Sequence, residues 1–266
     1  MPGAGTDSCA NSQKGEEVRK IAVALSKGGV GKTTTAISLA GGLARADQRV
    51  LLVDMDTQGQ VAKALGSRPA AGVAEMVLND LPPDQALVEA RERIWLLAGG
   101  RGLAGLKRVI ARKDFGGEQT LVEALSPLDG RFDVVLVDTA PAWDTLTVNA
   151  LFYANEVLVP VSLEVMALQG LIEFVRALAP IQKYHADLQL RYVLPTFMDR
   201  RVKKSEEILA QLRVHYGDVL CDPVRYNVRL SEAPGYGQTI FEYAPRSPGA
   251  EDYQRLTERI LRDGQS

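Results

Sequence analysis

Residues 20–35 read KIAVALSKGGVGKTTT, and they constrain this chain more than any other stretch. A short β-type apolar run empties into a glycine-rich turn that ends in Gly31-Lys32-Thr33. Gly28, Gly29 and Gly31 permit backbone torsions and close approaches that a Cβ would obstruct. Successive backbone N–H groups can then point inward and cradle phosphate oxygens at a helix N-terminus. The candidate nucleotide site therefore runs from Lys27 and Gly28 through Gly29, Val30, Gly31, Lys32 and Thr33 to Thr34. Lys32 is expected to reach the β/γ-phosphates and the Thr33 hydroxyl to ligate Mg²⁺. The turn opens on Ser26 where the general phosphate-loop pattern has glycine, and a second lysine, Lys27, follows at once.

Apolar strand-like runs alternate with helix-period segments along the rest of the chain. The expected strands are 21–25, 50–53, 94–97, 134–137, 157–161 and 190–194, with a short one near Val219. Several are continuous apolar runs, as suits strands covered on both faces of a parallel sheet. Helices are expected over 32–46, 119–125, 168–178, 206–215 and 249–261. The alternation predicts an α/β fold: a doubly wound, mostly parallel sheet flanked by helices, with ligands at the carboxyl ends of its strands. The runs at 21–25, 50–53 and 134–137 each end in a polar cluster, so three sequence-distant motifs converge at one sheet edge.

Asp54 and Asp56 follow one of these strands in VLLVDMDTQGQ, and Asp138 follows another in VVLVDTAPAW. A carboxylate at the end of an apolar strand is the Walker B arrangement that holds Mg²⁺. Taken singly, such an Asp is a turn former or helix cap. At one edge with a phosphate loop, Asp138 becomes the metal carboxylate, Asp54 supports the magnesium shell, and Asp56 orients the attacking water. Asp133 precedes its strand and takes a structural role, as do His185 and His215. Trp143 is expected to be buried by packing.

The pattern Lys-Gly-Gly-x-Gly-Lys-Thr resembles the "deviant" Walker A loop of the ParA/MinD superfamily of dimeric ATPases. VLLVDMDTQGQ is similar to that family's D-x-D-P-Q-G-N segment, with Thr57 for proline and Gln60 for asparagine. DTAPAWDTLTVNAL, VPVSLEVMALQGL, YNVRLSEAPGYG and IFEYAPRSPGAEDY match further blocks. The similarity spans 20–261 and is strongest to short, chromosomal-type, Soj-like members. It implies a phosphate-loop ATPase using ATP and Mg²⁺, slow unless a partner stimulates it. It also implies a homodimer sandwiching ATP, in which Lys27 acts in trans on the partner's phosphates as an arginine finger does, so that Lys27, Lys32 and Asp56 are the catalytic set. Where the family has Pro-Arg-Asn against adenine, this chain has Arg225, Tyr226 and Asn227, which puts Tyr226 at the base.

The resemblance further implies non-specific DNA binding. Arg201 and Arg229 fall on family DNA-contacting positions, and Arg200, Lys203 and Lys204 extend the first into a basic cluster. A charged helix start on solvent is the alternative for that cluster, and an ion pair with Glu232 for Arg229. Gln238 and Pro248 stand where the family often has basic residues. The implied function is partition of chromosome or plasmid with a ParB-like partner, or positioning of a protein cargo by another adaptor. A nucleotide switch with negligible turnover is the third reading.

At 266 residues with formal charge −2, the totals do not describe a strongly basic protein, though a local patch is compatible with them. Cys9 and Cys221 are the only cysteines, which suits a reducing cytoplasm and excludes a disulfide framework. Neither lies in the family's iron–sulfur block, so the electron-donor branch is set aside. The ending RLTERILRDGQS lacks the amphipathic, lysine-rich face of the membrane-binding MinD branch, so no membrane partner is expected and the protein is placed in the cytoplasm on the nucleoid. The organisation expected is a leader at 1–19, one ATPase domain at 20–262 and a tail at 263–266.

Overall fold

Strand residues that alternate between two apolar faces need a helical layer on each, and the chain supplies both. In the computed structural model, residues 18–199 and 201–265 are described. Seven strands form one sheet: β1 (Arg19–Val23), β2 (Val50–Met55), β3 (Leu87–Arg91), β4 (Ile94–Leu97), β5 (Val134–Thr139), β6 (Glu156–Ser162) and β7 (Gln189–Thr196). Their order is β3-β4-β2-β5-β1-β6-β7, parallel except for the β3–β4 pair.

Ile21, Val23, Val50, Leu52, Val134 and Leu136 point to one face of the sheet. There they meet α1 (Lys32–Arg45) and α2 (Gln60–Ala64), with the C-terminal helices described below. Ala22, Leu51, Val53, Val135, Val137, Val157 and Val159 point to the other. That face is covered by α3 (Val73–Leu78), α4 (Pro83–Ala86), α5 (Leu103–Ile110), α6 (Thr120–Leu125), α7 (Thr145–Tyr153), α8 (Val165–Tyr184) and α9 (Lys203–Tyr216). After α10 (Val228–Glu232), α11 (Ile240–Tyr243) and α12 (Pro248–Asp263) return to the first face. This is the doubly wound, mostly parallel sheet the pattern predicts.

Local chemistry sets the helix starts. The Asp144 carboxylate accepts N–H bonds from Leu146 and Thr147 and so opens α7. Thr239 and Glu242 form a reciprocal capping box on α11. Ser247 caps α12, with Pro248 at its first position.

Helices α1 and α12 approach so closely that a Cβ on Gly42 would overlap the Thr257 hydroxyl and lie 3.1 Å from Thr257 Cβ. Thr35 and Tyr253 join the same pair of helices through a buried hydroxyl–hydroxyl bond of 3.0 Å. Gly42→Ala is therefore expected to destabilise the fold by ~1–3 kcal/mol through overpacking. A urea melt checks this, since the midpoint should fall at constant slope.

Several elements differ from expectation. Strand β3 is an unforeseen antiparallel edge, joined to β4 through a turn in which Arg93 takes φ 61°. The run near Val219 makes only an isolated bridge, Val193 to Leu220. Helices α8 and α9 extend beyond their expected limits, and α7 was not foreseen at all. Among the described residues no helix is long and apolar enough to cross a membrane. The expected leader falls largely on residues 1–17, outside those described.

Candidate nucleotide site

Strand β1 lies between β5 and β6, so the chain leaves it toward β2 on one side while β6 and β7 lie on the other. The loops after β1, β2 and β5 therefore open at a topological switch point. In the first of them Gly29 and Gly31 take φ 73° and 90°, the left-handed values that glycine alone adopts cheaply. The loop is tied down on both flanks. Thr196 Oγ1 on β7 donates to the Val30 carbonyl at 3.0 Å, and Thr139 Oγ1 on β5 donates to the Val23 carbonyl at 3.0 Å.

Lys32 is buried, and its Nζ donates to the Lys27 carbonyl at 2.7 Å across the loop. Burial lowers its pKa, while the charges of Asp138 and Asp56 oppose that shift. The Thr33 hydroxyl donates to Asp138 Oδ2 at 2.7 Å. Asp138 Oδ1 is the only buried side-chain polar atom among the described residues that lacks a hydrogen-bond partner. Burial first, and then the nearby Asp54 charge, push the Asp138 carboxyl upward. Asp54 and Asp138 are register partners on β2 and β5.

A buried carboxylate with one oxygen on Thr33 and the other unpaired fits a small divalent cation. Mg²⁺ needs only one or two protein oxygens when phosphates supply others. Asp54 is placed differently: its oxygens accept the N–H groups of Asp56 (2.9 Å) and Val61 (3.2 Å), holding the turn after β2. Asp56 stands on that turn, half-buried, with Oδ1 on the Gln58 N–H.

A second glycine cluster, not singled out from the sequence, sets this turn. The Asp56 carbonyl accepts N–H bonds from Gly59 and Gly100, both at 3.0 Å. A Cβ on Gly99 would lie 2.6 Å from the Asp54 carbonyl, 2.7 Å from that of Asp56 and 2.8 Å from the Asp54 carboxyl carbon. The signal was present in the AGGRG that follows β4.

Lys27 is half-buried, its stem against Gly170 of α8. No acidic group of the described chain pairs with its ammonium. Phe197, directly after β7, takes φ 56° and stands near Gly31 and Tyr226, with ring centroids 6.5 Å apart in the aromatic pair. A bulky side chain in the left-handed region is uncommon and concentrates at functional sites. Tyr226 is exposed and is positioned by its N–H bond to the Met198 carbonyl, 3.0 Å. Its neighbour Arg225 turns away to Asp252, Glu251 and the Pro248 carbonyl on α12. Trp143 corrects the expected burial: it is 38% exposed at the rim and edge-on to Phe174.

Of the basic cluster, Arg201 is exposed and bonded to Asp199, and Lys203 and Lys204 stand exposed in the first turn of α9. Arg229 pairs with Glu232 at 2.7 Å, the alternative weighed from the sequence. Arg200 lies outside the described residues.

The fold and this site define a phosphate-loop ATPase that works with Mg²⁺. The AAA domain family matches residues 18–190. The chromosome-partitioning ATPase Soj of Thermus thermophilus is 41% identical over 247 residues, covering 92% of this chain and 96% of that protein. The chromosome partitioning protein ParA of Myxococcus xanthus is 34% identical, covering 92% and 88%. Among solved structures, cobyrinic acid a,c-diamide synthase from Mycobacterium smegmatis with bound ADP and magnesium superposes with a TM-score of 0.82 at 35% identity, covering 94% and 96%. The chain belongs to the ParA/MinD superfamily of deviant Walker A ATPases.

Proposed function

We propose that the protein partitions DNA or a DNA-borne cargo as an ATP-dependent homodimer, with a ParB-like adaptor stimulating hydrolysis. One observation carries the reading. Lys32, Thr33, Asp138 and Asp56 gather at one sheet edge, while Lys27, on the same loop, has no paired anion among the described residues. A second subunit's phosphates are the natural partner for that ammonium, where it would stabilise charge that develops in the transition state.

When bound, ATP would supply the phosphoryl group and Mg²⁺ would offset the charge on its phosphates. Backbone N–H groups of Gly28 to Thr34 cradle the phosphates, and Lys32 places its charge at the β/γ end. Thr33 and Asp138 would hold the cation. Asp54 supports them by fixing the turn that carries Asp56. Asp56 orients a water in line for attack and accepts its hydrogen bond. Phe197 and Tyr226 flank the base.

The amide chemistry in the name of the mycobacterial structure is not favoured for this chain. Where glutamine supplies the nitrogen, a reactive thiolate is needed. Cys221, the one thiol among the described residues, is buried, and burial pushes it up to about 12.

DNA binding is proposed for the edge that carries Arg201 and Arg229. The Met198–Arg225 bridge brings the segments bearing these residues together. Both arginines are exposed while their partners Asp199 and Glu232 are half-buried, and ion pairs so open to solvent are weak enough for phosphate to displace the carboxylates. Nucleoid association follows from the same surface.

Changing both arginines to Glu should weaken binding to duplexes of any sequence and leave ATP affinity intact. Two lost phosphate contacts per subunit, four per dimer, should flatten the log–log salt slope by about 3.6. Electrophoretic shifts at several salt concentrations, with ATP and with ADP, measure this. Absence of binding by the parent protein at low salt would sink the nucleoid reading.

A further inference from the structure

Helix α5 and the turn that follows it serve none of the roles above. From Arg101 to Phe115 the sequence carries five cations and a single carboxylate, the exposed Asp114, in a protein whose formal charge is −2. Two of the five are engaged: Lys107 with Asp144 at 2.9 Å, and Lys113 with the Thr120 hydroxyl and Glu123. Arg101, Arg108 and Arg112 are exposed, and none has an ion pair among the described residues.

Apolar groups stand beside them. Leu103, Leu106 and Ile110 bury one side of α5, yet Val109 is 45% exposed and Phe115, three residues beyond Arg112, is 92% exposed. A scattered exposed leucine needs no explanation, but an almost fully exposed phenylalanine among unpaired guanidiniums does. A phosphate backbone would use the arginines and leave the ring in water. Protein interfaces, by contrast, are enriched in aromatic residues and arginine, and their binding energy concentrates there.

We propose that this face docks an acidic segment of a partner protein. The segment's carboxylates would sit on Arg108 and Arg112, where charge complementarity steers the encounter. An apolar side chain of the same segment would cover Phe115 and Val109. The surface is separate from the proposed DNA edge at Arg201 and Arg229, so one subunit can hold both partners at once.

The test uses the full chain and a fluorescein-labelled synthetic peptide that alternates paired glutamates with leucine and phenylalanine. Fluorescence anisotropy should show binding that weakens with salt. Arg108→Glu with Arg112→Glu should lower the affinity by about tenfold or more, and so, separately, should Phe115→Ser. The all-lysine counterpart peptide should not bind. Circular dichroism and ATP titration should show each variant folded, since none of these residues belongs to the core or the phosphate loop. The proposal is overturned by failure of the acidic peptide to bind the parent at low salt, or by equal binding to the variants. It is overturned equally if the Arg108 and Arg112 changes abolish duplex DNA binding, which would assign the face to nucleic acid.

Discussion

Lys32→Ala is expected to abolish ATP-dependent dimerisation by weakening ATP binding severely. Lys32 is the buried cation of the phosphate loop, and burial already disfavours its charge. Nothing nearby can replace it, because Lys27 points its stem toward Gly170 and only its carbonyl toward the loop interior. Truncating one partner of a buried, hydrogen-bonded charge pair costs ~2–5 kcal/mol, a loss of affinity of about 30-fold to several thousand-fold. The fold should survive, since the side chain's one hydrogen bond is to the loop itself. Calorimetric titration of ATP into both proteins decides the matter, with a thermal melt as the control. Near-equal affinities would refute the assignment of Lys32.

Asp56→Ala should separate binding from turnover. With the proposed water-orienting group gone, the rate should fall by ~10²–10⁴. Thr33 and Asp138, the pair proposed to hold the cation, are untouched, so ATP binding and the dimer should persist. The Gln58 N–H that loses its acceptor is exposed, and water can take the place of the carboxylate. Size-exclusion chromatography with ATP should show a long-lived dimer, and phosphate release should nearly vanish. A variant that stays monomeric, or turns over at the parent rate, removes Asp56 from its role.

The phosphate loop and the strand-end carboxylates were readable because their signals are local. Glycines with positive φ lie within a few residues of Lys32, and each Asp directly ends an apolar run. Alternation of runs was enough to predict the doubly wound sheet. Strand β3 escaped because LVEAR is short, half-buried and charged, which protects an edge but weakens its pattern. Helix α7 was concealed by its cap: Asp144 lies close after the polar stretch that follows β5, and it opens the helix. The role of Phe197 left no mark in its own stretch of sequence, and that of Gly99 left only a glycine pair after β4. Their roles arise from neighbours far along the chain, Gly31 and Tyr226 in one case and Asp54 and Asp56 in the other, and no window of sequence contains those pairs. The turning of Arg225 toward α12 belongs to the same class.

The turn that carries Asp56 is held from behind, by its carbonyl, through two glycine amides, while the side chain at this position braces nothing in the core. Position and chemistry are thus set by different atoms of one residue. A longer acid, an amide or a thiol placed there would inherit the same backbone pose. Given the proposed dimer that persists until its nucleotide is spent, residue 56 becomes a timer that can be reset: lifetimes could be graded by substitution at one site while assembly stays constant. How far a cargo travels per nucleotide cycle would then become a property written by a single side chain.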